Sequence, residues 1–140
     1  MMLAGAEGLN DARRALAASA LDAAQQTHLL EWYGAASLDV LALIRADPPL
    51  GRPVHPAAPP LRAEVVYACR AEMAVSLSDC MFLRARVGEI DVAAAAEAAE
   101  DAAGLMAREL AWDAPEVRRQ RDALEAELRR ERGWMAAAPR

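Results

Sequence analysis

The chain has 140 residues and a mass of 15.0 kDa, enough for one domain with its own core and too short for a second of ordinary size. It is 55% hydrophobic but only 4% aromatic, and its 36 alanines make this a helical composition built on small apolar side chains. A formal charge of -5 argues against a general nucleic-acid binder and against an anionic membrane surface as a direct partner. Two cysteines, Cys69 and Cys80, are too few for a disulfide framework, and their apolar neighbours Val66, Met73, Met81 and Phe82 mark them as free core thiols in a reducing compartment. No apolar run reaches the ~20 residues needed to span a bilayer and the first residues lack the pattern of a signal peptide, so a cytoplasmic chain without membrane insertion is expected. All 16 basic residues are arginine, which identifies no function.

Gly and Pro punctuate the chain. Residues 1–9, with Gly5 and Gly8, read as a lead-in, after which Asn10 or Asp11 is placed to cap a first helix running to about Ala20. Asp22 caps a second, which ends at Gly34. Ser37 is placed to cap a third, where Leu38, Leu41 and Ile44 recur at helical spacing until Pro48 forbids continuation. Residues 47–60 hold six of the eight prolines and form a stiff crossing rather than a helix or central strand.

The segment after the crossing, LRAEVVYACRAEMAVS, is apolar on most of its circumference, which predicts a central helix surrounded by others. Ser78 and Asp79 restart a helix through Phe82 to Arg84 and Arg86, closed by Gly88, and these two helices are expected to pack as an antiparallel pair. Asp91 caps a long helix whose Val92, Ala96, Ala99, Ala103, Met106 and Leu110 form a flat face. The last helix starts at Asp113 with Pro115 in its first turn, turns Val117, Leu124 and Leu128 to one side, and is expected to stop at Gly133. Between Asp113 and Arg132 six acids balance six arginines, the composition of a solvated helix face. The fold class is all-α, a compact bundle of about six to seven helices. It forms a single domain over residues 10–133, with the Pro-rich crossing between the first helices and the central pair and residues 134–140 as a disordered tail.

Catalytic signatures are missing. No glycine-rich phosphate loop, CxxC pair, HExxH or GxSxG occurs, and no catalytic, cofactor-binding or metal-binding residue is assigned. His28, beside Leu29 and Leu30, reads as a packed or surface histidine, and His55 in the Pro-rich crossing lacks a partner at recognisable spacing. The informative constellation is Glu64, Tyr67, Arg70 and Glu72 on the central helix, facing Asp79, Arg84 and Arg86 on the next. Charges on an apolar helix are costly to bury unless paired, so a structural Glu–Arg network across this helical pair is expected; an arginine site for an anionic ligand is the alternative.

The string from His55 to Gly88 resembles the helical C-terminal domain of the FAD-dependent glycerol-3-phosphate dehydrogenases and the related α-glycerophosphate oxidases. It carries His55 and Pro56, Pro59 or Pro60, then Glu64, Val65 and Tyr67, then Glu72, Met73 and Ala74, and finally Leu77, Asp79, Arg84 and Arg86. The flanking segments Leu29 to Gly34, Leu38 to Leu43 and Leu105 to Asp113 extend the resemblance over nearly the whole chain. It departs from the family where adjacent arginines and a Thr are usual and this chain has Leu83, Arg84, Ala85 and Arg86.

The resemblance implies a non-catalytic module that caps or braces an FAD- and substrate-binding domain, so no activity is expected of this chain alone. FAD, and the oxidation of glycerol 3-phosphate to dihydroxyacetone phosphate, would belong to the parent enzyme, expected in the cytoplasm, with a peripheral place at the inner face of the membrane left open. The partner expected is the parent's FAD/substrate domain, through a face on which Trp32, Trp112 and Trp134 are candidates, with a homodimer left open. A free-standing protein–protein interaction module, or a small binder using Arg70, Arg84 or Arg86 for a phosphate, are the other readings.

Overall fold

The structure, a computed structural model, describes residues 8–87 and 92–137. It is all-helical: α1 (Leu9–Ala17), α2 (Ala23–Tyr33), α3 (Ser37–Ala46), α4 (Arg62–Ala71), α5 (Leu77–Asp79, continuing as a π-helical turn over Cys80–Arg84), α6 (Val92–Leu110) and α7 (Ala114–Ala137). Short 3-10 turns occupy Gly34–Ala36 and Pro48–Gly51. The central helix is α4, which packs against α3 on one side and α6 on the other, while α7 lies along α6. Leu16, Leu29, Leu41, Leu61, Val65, Met81, Met106 and Leu124 form the middle of the core.

Local chemistry explains the ends. Asp22 accepts from the Gln25 backbone N–H at 2.8 Å while the Gln25 side chain accepts from the Asp22 N–H at 3.0 Å, a reciprocal cap that starts α2. Gly34 then takes φ 54° and stops it. At α1 the boundaries differ from expectation: Gly8 in left-handed backbone precedes the helix, Asn10 and Asp11 lie inside its first turn, and it ends at Ala17. Ser37 does not cap α3; its hydroxyl donates to the Gly34 carbonyl at 2.6 Å, because the Gly34–Ala36 turn feeds directly into the helix.

The Pro-rich crossing has a closed base. Pro53 and Leu61 form an antiparallel bridge, with Val54 N–H donating to Pro60 O and Arg62 N–H to Arg52 O, both at 2.9 Å. Buried Val54, Ala58 and Leu61 seat it on the core. Helix α4 ends at Ala71, five residues before the end its apolar run suggested, since Ala68 O accepts from both Glu72 N–H and Ala74 N–H and Met73 turns left-handed between them. Side-chain capping is clean at α5, where Ser76 Oγ accepts from Asp79 N–H at 3.0 Å, and at α7, where Asp113 accepts from Glu116 N–H at 2.8 Å.

The buried face of α6 is Ala94, Ala95, Ala98, Ala102, Ala103, Leu105 and Met106; of the expected stripe, Ala103 and Met106 are buried while Ala96 is exposed. Helix α7 runs through Gly133 to Ala137, since Gly133 stands in open space and the alanines beyond it favour helix. The expected closure at Gly88, the cap at Asp91 and most of the lead-in fall outside the described residues, as do the last three residues of the expected tail.

Candidate functional site

The polar centre of the molecule is built on Glu64, in the first turn of α4 and 1% exposed. Its carboxylate accepts from the Leu61 backbone N–H at 2.5 Å, closing the start of α4 as an acid three residues into a helix can. His28 Nε2 lies 2.9 and 3.0 Å from its two oxygens, which ties α2 to α4 across 36 residues of sequence. The phenol of Tyr33, close to the same carboxylate, is pushed far above its ordinary value by burial and by the charge of Glu64. One buried acid therefore meets the Leu61 N–H and the His28 ring, the arrangement that makes its burial tolerable.

Two chains of contact leave this centre. Tyr33 meets Tyr67 edge to face at 5.5 Å. His28 lies against Trp32 with ring centroids 5.4 Å apart, and the guanidinium of Arg86 sits 4.9 Å above the same indole. The seven residues expected to form one network are thus divided. Glu64 and Tyr67 are linked through Tyr33. Arg70 forms a two-pronged pair with Glu109 on α6, at 2.7 and 2.9 Å, which holds the Glu109 carboxyl below its ordinary value. Arg84 Nε is 3.7 Å from Asp79 within its own element, and its charge opposes the burial that raises Glu72. Since Arg70 is held on α6 and Arg86 on Trp32, the three arginines named for an anionic ligand are not brought to one point.

A second set of ties went unread in the sequence. His55 meets Glu97 at 2.7 Å and Arg62 meets Asp101 at 2.8 Å; with Arg70 and Glu109 these fasten the crossing and α4 along one edge of α6. The signal was present as acids at 97, 101 and 109, multiples of four apart on a helix otherwise rich in alanine. His28 was also missed as the partner of Glu64, although its place beside Leu29 on a helix face pointed inward. The thiols are inert, with burial raising Cys69 to about 11 and Cys80 to about 12.

Open grooves run between the described helices. One groove of about 390 Å³ runs between α6 and α7 and mixes Arg118, Arg121, Arg129 and Arg132 with Asp122 and Glu125. Among the described residues there is no group of three or more metal-ligating side chains, and no helix is long and apolar enough to cross a membrane. Glu64 and His28 are 1% and 7% exposed and line neither of these grooves.

These features define a small all-helical domain whose buried polar groups fasten its own helices together. Residues 1–117 match the family described as the C-terminal domain of alpha-glycerophosphate oxidase, and the chain belongs to that family. It is similar to glycerol-3-phosphate dehydrogenase 2 of Mycobacterium tuberculosis, 33% identical over 84% of this chain and 21% of that protein. A glycerol-3-phosphate dehydrogenase of Mycobacterium leprae is 34% identical over the same shares, and the mitochondrial SDP6 enzyme of Arabidopsis thaliana is 35% identical over 67% of this chain and 15% of its own length. The chain therefore spans about a fifth of the first relatives it matches. No solved structure matches it.

Proposed function

We propose that the chain serves as the non-catalytic C-terminal domain of an FAD-dependent glycerol-3-phosphate dehydrogenase and braces the body that binds flavin and substrate. The parent reaction is the oxidation of glycerol 3-phosphate to dihydroxyacetone phosphate, on the cytoplasmic side. The observation that carries this reading is the enclosure of Glu64: the one buried acid of the family-like segment faces His28, Tyr33 and the Leu61 N–H, and acts on the fold rather than on a ligand.

The described residues do not fit a dinucleotide. Its pyrophosphate calls for a glycine-rich turn between a strand and a helix. Here no strand is described, and Gly34, Gly51 and Gly104 stand apart in sequence and in different elements. The flavin belongs to the body.

The test is reconstitution. The chain is mixed with an FAD-containing glycerol-3-phosphate dehydrogenase body that lacks the matching segment, and association is read by sedimentation together with dehydrogenase activity. Association with a gain in activity is expected. No association with a folded, flavin-loaded body overturns the reading, and a concentration-dependent dimer that ignores the body favours a free-standing interaction module.

A further inference from the structure

Helix α6 carries opposite charge on its two exposed flanks. One flank is the groove shared with α7, where Arg118, Arg121, Arg129 and Arg132 stand against Asp122 and Glu125, a surplus of two positive charges above a floor that includes Ala96 and Ala99. The other flank is a shallow hollow lined by Glu97, Glu100, Asp101, Gly104 and Arg108, and it stays acidic even when Arg62, the partner of Asp101, is counted with it. Ala96 adjoins Glu97 and Ala99 adjoins Glu100, and successive residues point about 100° apart around a helix, so the two surfaces meet along one ridge of α6. Composition hides this polarity. From Asp113 to Arg132 acids and arginines balance, yet the fold turns four of the six arginines and only two of the six acids to the groove. There Arg129 is held by Glu125 at 2.6 Å, while Arg118, Arg121 and Arg132 make no hydrogen bond among the described residues. Gly104 stands in the acidic hollow, in mid-helix, where a Cβ would meet nothing within 4 Å; packing within the chain gives no reason for a glycine there. All four arginines lie past residue 117, where the family match ends.

We propose that this ridge and its two flanks form a twofold interface with a second copy of the chain, α6 crossing α6 so that the acidic flank of each copy faces the arginine groove of the other. A twofold contact needs one patch that is complementary to itself, and opposite charge on the two sides of a single helix meets that requirement. It also selects a second copy as the occupant, because the acids that match the groove are carried by the same ridge. The missing side chain at Gly104 lets the two helices approach closely. Helix α6 is 19 residues, about 28 Å long, and with α7 beside it the face is about 20 Å wide, which offers about 550 Å² a side, near the lower end of specific interfaces. The dimer is therefore weak and sensitive to salt. The inference goes beyond the reading of the chain as a C-terminal domain and does not depend on it.

The experiment is sedimentation equilibrium of the purified chain from about 1 to about 500 μM, with circular dichroism and Tm showing each variant folded. The wild-type chain is expected to dimerise, about ten-fold more weakly at about 0.5 M than at about 0.05 M salt. Glu100→Arg and Arg121→Glu each weaken self-association about ten-fold or more, because like charges then meet in both halves of the twofold contact. An equimolar mixture of these two variants recovers wild-type association, since the reversed charges now meet each other. Gly104→Leu blocks the dimer by bulk, and Arg130→Glu, on α7 outside the groove, associates as wild type. A wild-type chain that stays monomeric, or a dimer that survives either charge reversal or Gly104→Leu undiminished, overturns the inference. So does a mixture that associates no better than its components, because the contact is then not self-complementary. A monomeric wild-type chain that binds a poly-glutamate peptide, and loses it on Arg121→Glu, assigns the groove to an acidic partner and overturns the dimer.

Discussion

Glu64 concentrates the polar energetics of the fold in one side chain. Removing it strands the Leu61 N–H and His28 Nε2 in the core together, so Glu64→Ala is expected to lower unfolding free energy by about 3 kcal/mol in urea titration. A double-mutant cycle with His28→Ala shows coupling above ~0.5 kcal/mol. That Glu64 needed a partner was legible, because a charge on an apolar helix is costly to bury. The identity of the partner was not. The sequence reading paired it with arginines on the next helix, and the pair that forms depends on α2 approaching α4 over 36 residues, which no local spacing encodes. Arg70 shows the same limit: its acceptor, Glu109, lies 39 residues away on α6.

At the scale of elements, Pro and Gly did most of the prediction. Pro48 ends α3, Asp22 caps α2 and Gly34 stops it, each for a stereochemical reason visible in the residue itself. The buried face of α6 was harder to read, because alanine at nine of its nineteen positions, on both the buried and the exposed sides, offers no contrast in size. The same feature makes α6 easy to improve. A Cβ at Gly104 meets nothing within 4 Å, so Gly104→Ala is expected to raise stability by about 1 kcal/mol, read as a higher urea midpoint at unchanged m-value. The early end of α4 is a different case, since its left-handed residue Met73 costs about 1–2 kcal/mol relative to right-handed backbone and nothing in the apolar run of the segment announces it.

The whole molecule responds to pH through groups whose surroundings differ from water. Tyr33 is raised, first by burial and then by Glu64, so the folded chain keeps a proton that the unfolded chain releases above pH 10. Stability is therefore expected to fall as pH rises through that region, by up to ~1.4 kcal/mol per pH unit from this group. Glu109 works with the opposite sign: held low by its hydrogen bonds to Arg70, it contributes stability above the ordinary carboxylate value of 4.5, which is lost as pH falls through the lowered one. Thermal melts across the acid and alkaline limbs check both, and Tyr33→Phe removes the alkaline loss specific to that residue.

The indole of Trp32, between the His28 ring and the Arg86 guanidinium, gives the chain an optical property of its own. Its emission depends on the water and charge around it, whereas Trp134 stands in solvent near the end of α7 and Trp112 is half-buried against the core. Replacing Trp112 and Trp134 with Phe leaves Trp32 as the one indole of the chain. A change in the water around that indole would then register as a spectral shift from the unlabelled protein, so events at the outer side of α2 can be followed in time with no dye attached.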